Sequence, residues 1–380
     1  TTEALLIETM ALIQAAPVLM LITHRPSYTF PVRNFPNLIS MDLNRLDRAE
    51  SLEIAASIGS GVLPRQMIEG IAERADGIPL YIEELTKSVL EAETSGNDGV
   101  DGGAIEAIPT SLQASLIARL DRLGSAREVV QIGAVIGRSF PYDLAAAVLG
   151  GSHAASQAAL ERAVDAELIS CRGIPPEAIY SFKHSLVQDT AYETLLRSTC
   201  QRYHGRVADV LLHEFPARAL AEPEVVARHF SAGKQPRKAV DHWFEAGQRA
   251  NERSELVEAV SNLQQGLSEL LQLEEGPVRS EQELDFRLAL GASLLAVEGW
   301  SAASVEANYQ RAYVLSQSSD DSAKKVNVLR GLGNVFFLKG EVGKSRELAQ
   351  RQLSIALAED NRDLAMGGYR SVGMCSFFTG

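Results

Sequence analysis

The 380-residue sequence predicts a mainly α-helical protein: the C-terminal part of an α/β domain with a helical lid, a winged-helix domain, and an α-solenoid of tetratricopeptide-like repeats. Three observations predict it. A strand-length apolar run at residues 18–22 lies between stretches of helical periodicity. A set of helical patterns then runs into a hairpin pattern that ends near residue 183. From about Arg202 onward helix follows helix, with alanines and large apolar residues three or four apart.

The elements follow in order. Residues 3–15 have helical periodicity, and residues 18–22 read as a strand apolar on both faces, as in a parallel sheet covered by helices. A second short strand is expected at 38–43. Two strands do not make a sheet, so residues 1–46 are expected to be the end of an α/β domain whose earlier strands lie upstream. Helices at 47–58, 64–75 and 79–92, with Asp47, Pro64 and Pro79 near their starts, form the lid over residues 47–93. Residues 94–108 are rich in Gly, Asp, Ser and Asn and read as a flexible linker.

Residues 109–200 carry helices at about 111–123, 126–136, 141–149 and 154–167, then strands at 168–172 and 179–183 joined by a Gly173-Ile-Pro-Pro176 tip. That is the element order of a winged helix. Residues 201–380 contain Lys238-Ala-Val-Asp-His-Trp-Phe-Glu-Ala-Gly247, which resembles Glu258-Ala-Val-Ser-Asn-Leu-Gln-Gln-Gly-Leu267, and residues 340–357 repeat the small-residue pattern. Such helix pairs bury their apolar faces only against neighbours. The apolar end, Cys375-Ser-Phe-Phe-Thr-Gly380, reads as a cut edge and predicts self-association.

Composition narrows the function classes. With 46% hydrophobic and 22% charged residues the chain folds rather than staying disordered. A formal net charge of −13 argues against a broad nucleic-acid surface, and Glu161, Asp165 and Glu167 against Arg162 alone argue against DNA reading by the helix before the hairpin. Cys171, Cys200 and Cys375 lack metal-ligand spacing and fit a reducing, cytoplasmic compartment. No run reaches the roughly 20 apolar residues of a membrane helix.

The candidate site residues are Thr23, Arg25, Pro79 and His184. Arg25, with Thr23 beside it, ends the expected strand, where open α/β sheets bind ligands; it either reaches a nucleotide's terminal phosphate or pairs with a surface carboxylate. Gly77 and Pro79 form a tight turn that either presents a flat apolar face to a base or simply starts a helix. His184 stands where strand gives way to helix, so it either senses an anion at the helix start or caps the helix. Glu83 and Glu84 are adjacent, project about 100° apart and are expected to be solvated. His204 and His213 lie too far apart on one helix to share a ligand, and Trp243 and Trp300 are expected in the repeat core. No catalytic triad and no metal site can be assembled, and no complete phosphate-binding loop, Gly-x-x-x-x-Gly-Lys-[Ser/Thr], occurs; Gly233-Lys234 is followed by Gln235.

Leu21-Ile-Thr-His-Arg-Pro26, Gly77-Ile-Pro-Leu-Tyr-Ile-Glu-Glu-Leu85 and Phe182-Lys-His-Ser-Leu-Val187, in that order and ahead of helical repeats, resemble the signal-transduction ATPases with numerous domains. The nearest likeness is to the branch attached to bacterial class III adenylate or guanylate cyclases. By that resemblance Arg25 matches the sensor arginine, Pro79 the proline that contacts adenine, and His184 the histidine of the Met-His-Asp motif that touches the β-phosphate of ADP. Here Lys183 and Ser185 replace the methionine and aspartate. The resemblance places the phosphate loop and magnesium-binding strand upstream of Thr1, so ATP or ADP with magnesium belongs to the full-length protein, and this segment alone binds nucleotide poorly and catalyses nothing. It implies an ADP/ATP switch, with a protein or small-molecule effector on the repeats and an ATPase linked to a nucleotide cyclase as parent. Two rivals stay open: part of a transcriptional regulator, and a non-catalytic tetratricopeptide interaction scaffold.

Overall fold

The computed structural model describes residues 2–13, 16–25, 28, 38–59, 61–94, 111–300 and 302–379. It comprises two compact units, Thr1–Leu112 and Gln113–Gly380.

In the first unit α1 spans Thr2–Leu12, α2 Arg48–Ile58, α3 Arg65–Ala75 and α4 Pro79–Thr94. A capping box opens α2: Asp47 Oδ1 accepts from the Glu50 amide at 2.8 Å, and Glu50 Oε2 accepts from the Asp47 amide at 2.9 Å. Helices α2 to α4 close around Ala55, Met67, Ile71, Ile82, Leu85 and Val89, as the helical pattern predicts. The strands expected at 18–22 and 38–43 are not formed. A parallel strand needs neighbours for its amides and carbonyls, and these residues find no ladder, so Leu19, Leu21, Ile39, Met41 and Leu43 stay exposed. The linker expected at 94–108 lies outside the described residues from residue 95 onward.

The second unit starts with α5 (Leu112–Arg122), a 3-10 turn (Gly124–Ala126), α6 (Arg127–Ile136), β1 (Ser139–Pro141), α7 (Tyr142–Leu149), α8 (His153–Asp165), β2 (Ile169–Arg172) and β3 (Ile179–Phe182). The three strands form one antiparallel sheet in the order β1-β3-β2, with Phe140 opposite Tyr180 and Ile169 opposite Phe182. The hairpin is as expected; β1 is an addition. Phe140 buries its ring against Tyr180 and Phe182, each at 5.9 Å, and packs closely on Gly133 of α6, where a Cβ would lie 2.4 Å from the ring.

Helices then follow without interruption: α9 (Ser185–Glu193), α10 (Arg197–Glu214), α11 (Pro216–Ala221), α12 (Pro223–Ala232), α13 (Pro236–Glu252), α14 (Leu256–Leu270), α15 (Pro277–Glu298), α16 (Ala303–Ser316), α17 (Ser322–Leu338), α18 (Val342–Ala358) and α19 (Arg362–Thr379). From α12 onward each helix packs on the next. The result is a tetratricopeptide-like solenoid in a mainly α-helical protein. Helix pairs begin at Pro236, Pro277 and Ser322, spacings of 41 and 45 residues, longer than the roughly 34 of the tetratricopeptide consensus. Gly266 shows how the helices approach. A Cβ there would lie 2.3 Å from the Phe286 ring and 2.9 Å from Trp243 Cβ, so only glycine lets α13, α14 and α15 meet.

One core crosses from the helix–sheet part into the solenoid. Ile132, Val135, Leu144 and Val148 pack with Val207, Leu211, Phe230 and Trp243. A second core of Leu263, Phe286, Leu290, Tyr309 and Leu332 fills the repeats. Between α15 and α16, the buried Glu283 carboxylate accepts from Arg287 Nε at 2.8 Å and from Arg311 Nε and Nη2, both at 2.9 Å.

Candidate functional site

Thr23, Arg25 and Pro79 belong to the first unit and His184 to the second. Thr23 and Arg25 are exposed on a stretch without strand pairing, and His24 Nδ1 lies 3.0 Å from the Arg25 carbonyl oxygen. Pro79 is the exposed first residue of α4. The turn before it is tightly specified. Asp76 ends α3 in the left-handed conformation (φ 48°), Gly77 follows at φ 70°, and the Leu46 amide donates to the Gly77 carbonyl at 2.8 Å. A Cβ on Gly77 would lie 2.3 Å from the Leu46 carbonyl oxygen, so backbone freedom and space both require glycine. Arg45 pairs with Asp76 across the same turn. This leaves Ile78 and Pro79 as an outward apolar step at the start of a helix.

His184 is the N-cap residue of α9, in extended conformation (φ −131°, ψ 144°). Its carbonyl accepts from the Val187 amide at 3.1 Å, while its half-buried side chain makes no capping hydrogen bond. The capping alternative therefore holds for the backbone and not for the imidazole. Phe182 and Val187 anchor the residues around it in the interior, and Lys183 pairs with Glu167 at 3.4 Å.

Two other expectations are corrected. Glu84 is 3% exposed rather than solvated, and Glu83 pairs with Lys87 at 2.5 Å. Trp243 is a core residue, but Trp300 is 36% exposed in the turn between α15 and α16.

Sequence reasoning missed the partners of His204. Its Nδ1 lies 2.8 Å from Nδ1 of His229 on α12, and its Nε2 lies 2.9 Å from Tyr192 Oη at the end of α9. Burial holds His204 down at about 4; burial, then His204, Arg228 and Arg218, holds His229 at about 3. Burial, with Cys200 alongside, raises Tyr192 to about 12. His204 and His229 stand 25 residues apart on different helices, so no local spacing announces the pair. A groove of about 440 Å³ opens along another face of α10, lined by Arg202, Arg206, Asp209, His213, Glu214 and Gln235 among others. Its charges are mixed, and Asp209 is already paired with Lys238 at 2.8 Å.

No family model matches the chain. An uncharacterized protein of Rhizobium meliloti (strain 1021) is 27% identical over 323 residues, which are 83% of this chain and 31% of that protein. The chain therefore spans less than a third of the length of this curated relative. Among solved structures, a signal transduction ATPase with numerous domains carrying a tetratricopeptide repeat sensor, from Pyrococcus horikoshii, is similar at 11% identity and a TM-score of 0.33, over 88% of this chain and 57% of that one. Among the described residues, no helix is long and apolar enough to cross a membrane.

Proposed function

We propose that this chain is the regulatory, nucleotide-sensing and protein-interaction segment of a signalling ATPase with numerous domains, joined in the whole protein to a nucleotide cyclase. One observation carries the reading: the core of Ile132, Leu144, Val207, Phe230 and Trp243 runs unbroken from the helix–sheet part into the repeats. The helix that starts at His184 and the surface that would receive an effector thus belong to one packed body. The helix–sheet part takes the role of a winged helix, and the repeats take the input.

In this reading ADP contacts Thr23, Arg25, Pro79 and His184 in a closed state, and exchange for ATP releases His184. The exposed Arg25 guanidinium and the uncapped His184 imidazole fit phosphate contacts. The chain has no Gly-x-x-x-x-Gly-Lys-[Ser/Thr] segment, so the groups that cradle the phosphates and hold magnesium are assigned to the rest of the protein. A switch needs a ligand that binds its two states with different affinity, and a contact made only to ADP supplies one.

Titrating ADP and ATP against the whole protein and its His184→Ala variant tests the reading. The variant should weaken ADP binding more than ATP binding, by a coupling on the order of 1 to 3 kcal/mol. An unchanged ADP to ATP affinity ratio would remove His184 from the site.

A further inference from the structure

His204 and His229 are 8% and 5% exposed, and their Nδ1 atoms are 2.8 Å apart. Two ring nitrogens at that distance require one proton between them, so one imidazole donates and the other offers a lone pair. Tyr192 Oη, 2.9 Å from His204 Nε2, extends the chain to α9. Two arrangements satisfy every contact. In one, the Tyr192 hydroxyl donates to Nε2 of His204, whose Nδ1–H donates to His229. In the other, His229 donates to His204, whose Nε2–H donates to the Tyr192 oxygen.

A first added proton fits either arrangement. It goes to His204 Nε2, with the hydroxyl turning to accept, or to His229 Nε2. A second has only the shared Nδ1 lone pair to take, which ends the bond and leaves two cations in contact. The charged and titratable neighbours of the pair are Arg218 on α11 and Arg228 on α12, both cations, with Cys200 on α10 beside Tyr192. These cations oppose further charge.

We propose that the Tyr192–His204–His229 chain is a proton-operated latch, which holds α9 and α12 to α10 while the pair is neutral or singly protonated and releases them on uptake of the second proton. The two helices it ties have different allegiances: α9 leads out of the sheet and α12 leads into the solenoid. Opening removes the polar tie between the two and leaves the apolar packing of α10 on α12 in place. With His204 held at about 4 and His229 at about 3, the latch is shut at neutral pH and opens in strong acid. This inference does not rest on nucleotide sensing.

Trp243 reports on α12, since its Nε1–H donates to Ser231 Oγ at 3.0 Å. In a Trp300→Phe background, its fluorescence should change with a midpoint near pH 3, where ring-nitrogen NMR shows the second imidazole charging. In a His204→Gln/His229→Gln variant, whose amides hydrogen-bond without titrating, the change should move down by about one pH unit or more. Should that variant not fold, the wild-type ring-nitrogen titration decides alone. Imidazoles that both titrate near pH 6.5, or a Trp243 transition unmoved in a folded double variant, would overturn the latch.

Discussion

Replacing Glu283 by glutamine keeps the side chain's shape and removes its charge. The carboxylate is 2% exposed, and its fork-like contact with Arg311, first, and its bond to Arg287 hold its pKa at about 2, well below the ordinary 4.5, although burial pushes the other way. A shift of that size corresponds to about 3 kcal/mol. Arg311 is half exposed, so solvent screens part of this, and Arg287 keeps Asn308 Oδ1 at 3.5 Å as a partner. The expected loss is therefore about 2 to 3 kcal/mol, below the 3 to 5 that a fully buried charge left alone would cost. Because the folded pKa lies below the unfolded one, the contribution is complete above about pH 4.5 and is lost as pH falls toward 2. Urea unfolding of wild type and Glu283→Gln at neutral pH and near pH 2.5 should therefore show a gap that closes in acid. The histidine pair is common to both proteins and drops out of the difference. A gap equal at both pH values, or none at neutral pH, would refute the ion-pair account.

Gly77→Ala forces a side chain into the left-handed region against the Leu46 carbonyl and should cost at least about 1 to 3 kcal/mol of the first unit's stability in a thermal melt. Asp47→Ala removes half of the capping box on α2 and should cost about 1 kcal/mol. Purified residues 1–380 should release no phosphate from ATP above blank, since the chain lacks a phosphate loop; reproducible turnover would contradict this. Met366, Tyr369, Phe377 and Phe378 expose apolar surface on α19, so sedimentation should show concentration-dependent association that Phe377→Glu/Phe378→Glu reduces.

Helices were legible wherever a period and a start signal coincided. Asp47 just before α2, and Pro79 at the head of α4, placed their helices to within a residue or two. The strand at 18–22 was misread because an apolar run marks burial potential and cannot supply a hydrogen-bonding neighbour. Strand β1 escaped notice because three residues, Ser139-Phe-Pro141, are too few to show a period. For the candidate site, His184 stood out because it breaks a local pattern. The His204–His229 contact exists only after α10 and α12 have packed, so the sequence held both residues and no sign of their meeting.

The two ways the second unit is packed give it two mechanical characters. Its repeats hold only to neighbours along the stack, so tension on the α19 end should peel helix pairs away in turn at low force. The core shared by α6, α7, α10, α12 and α13 must instead shear as a block. An effector that stiffens or bends the repeats would therefore deliver its strain at the junction where α12 meets α10, the first place in the stack that does not give way.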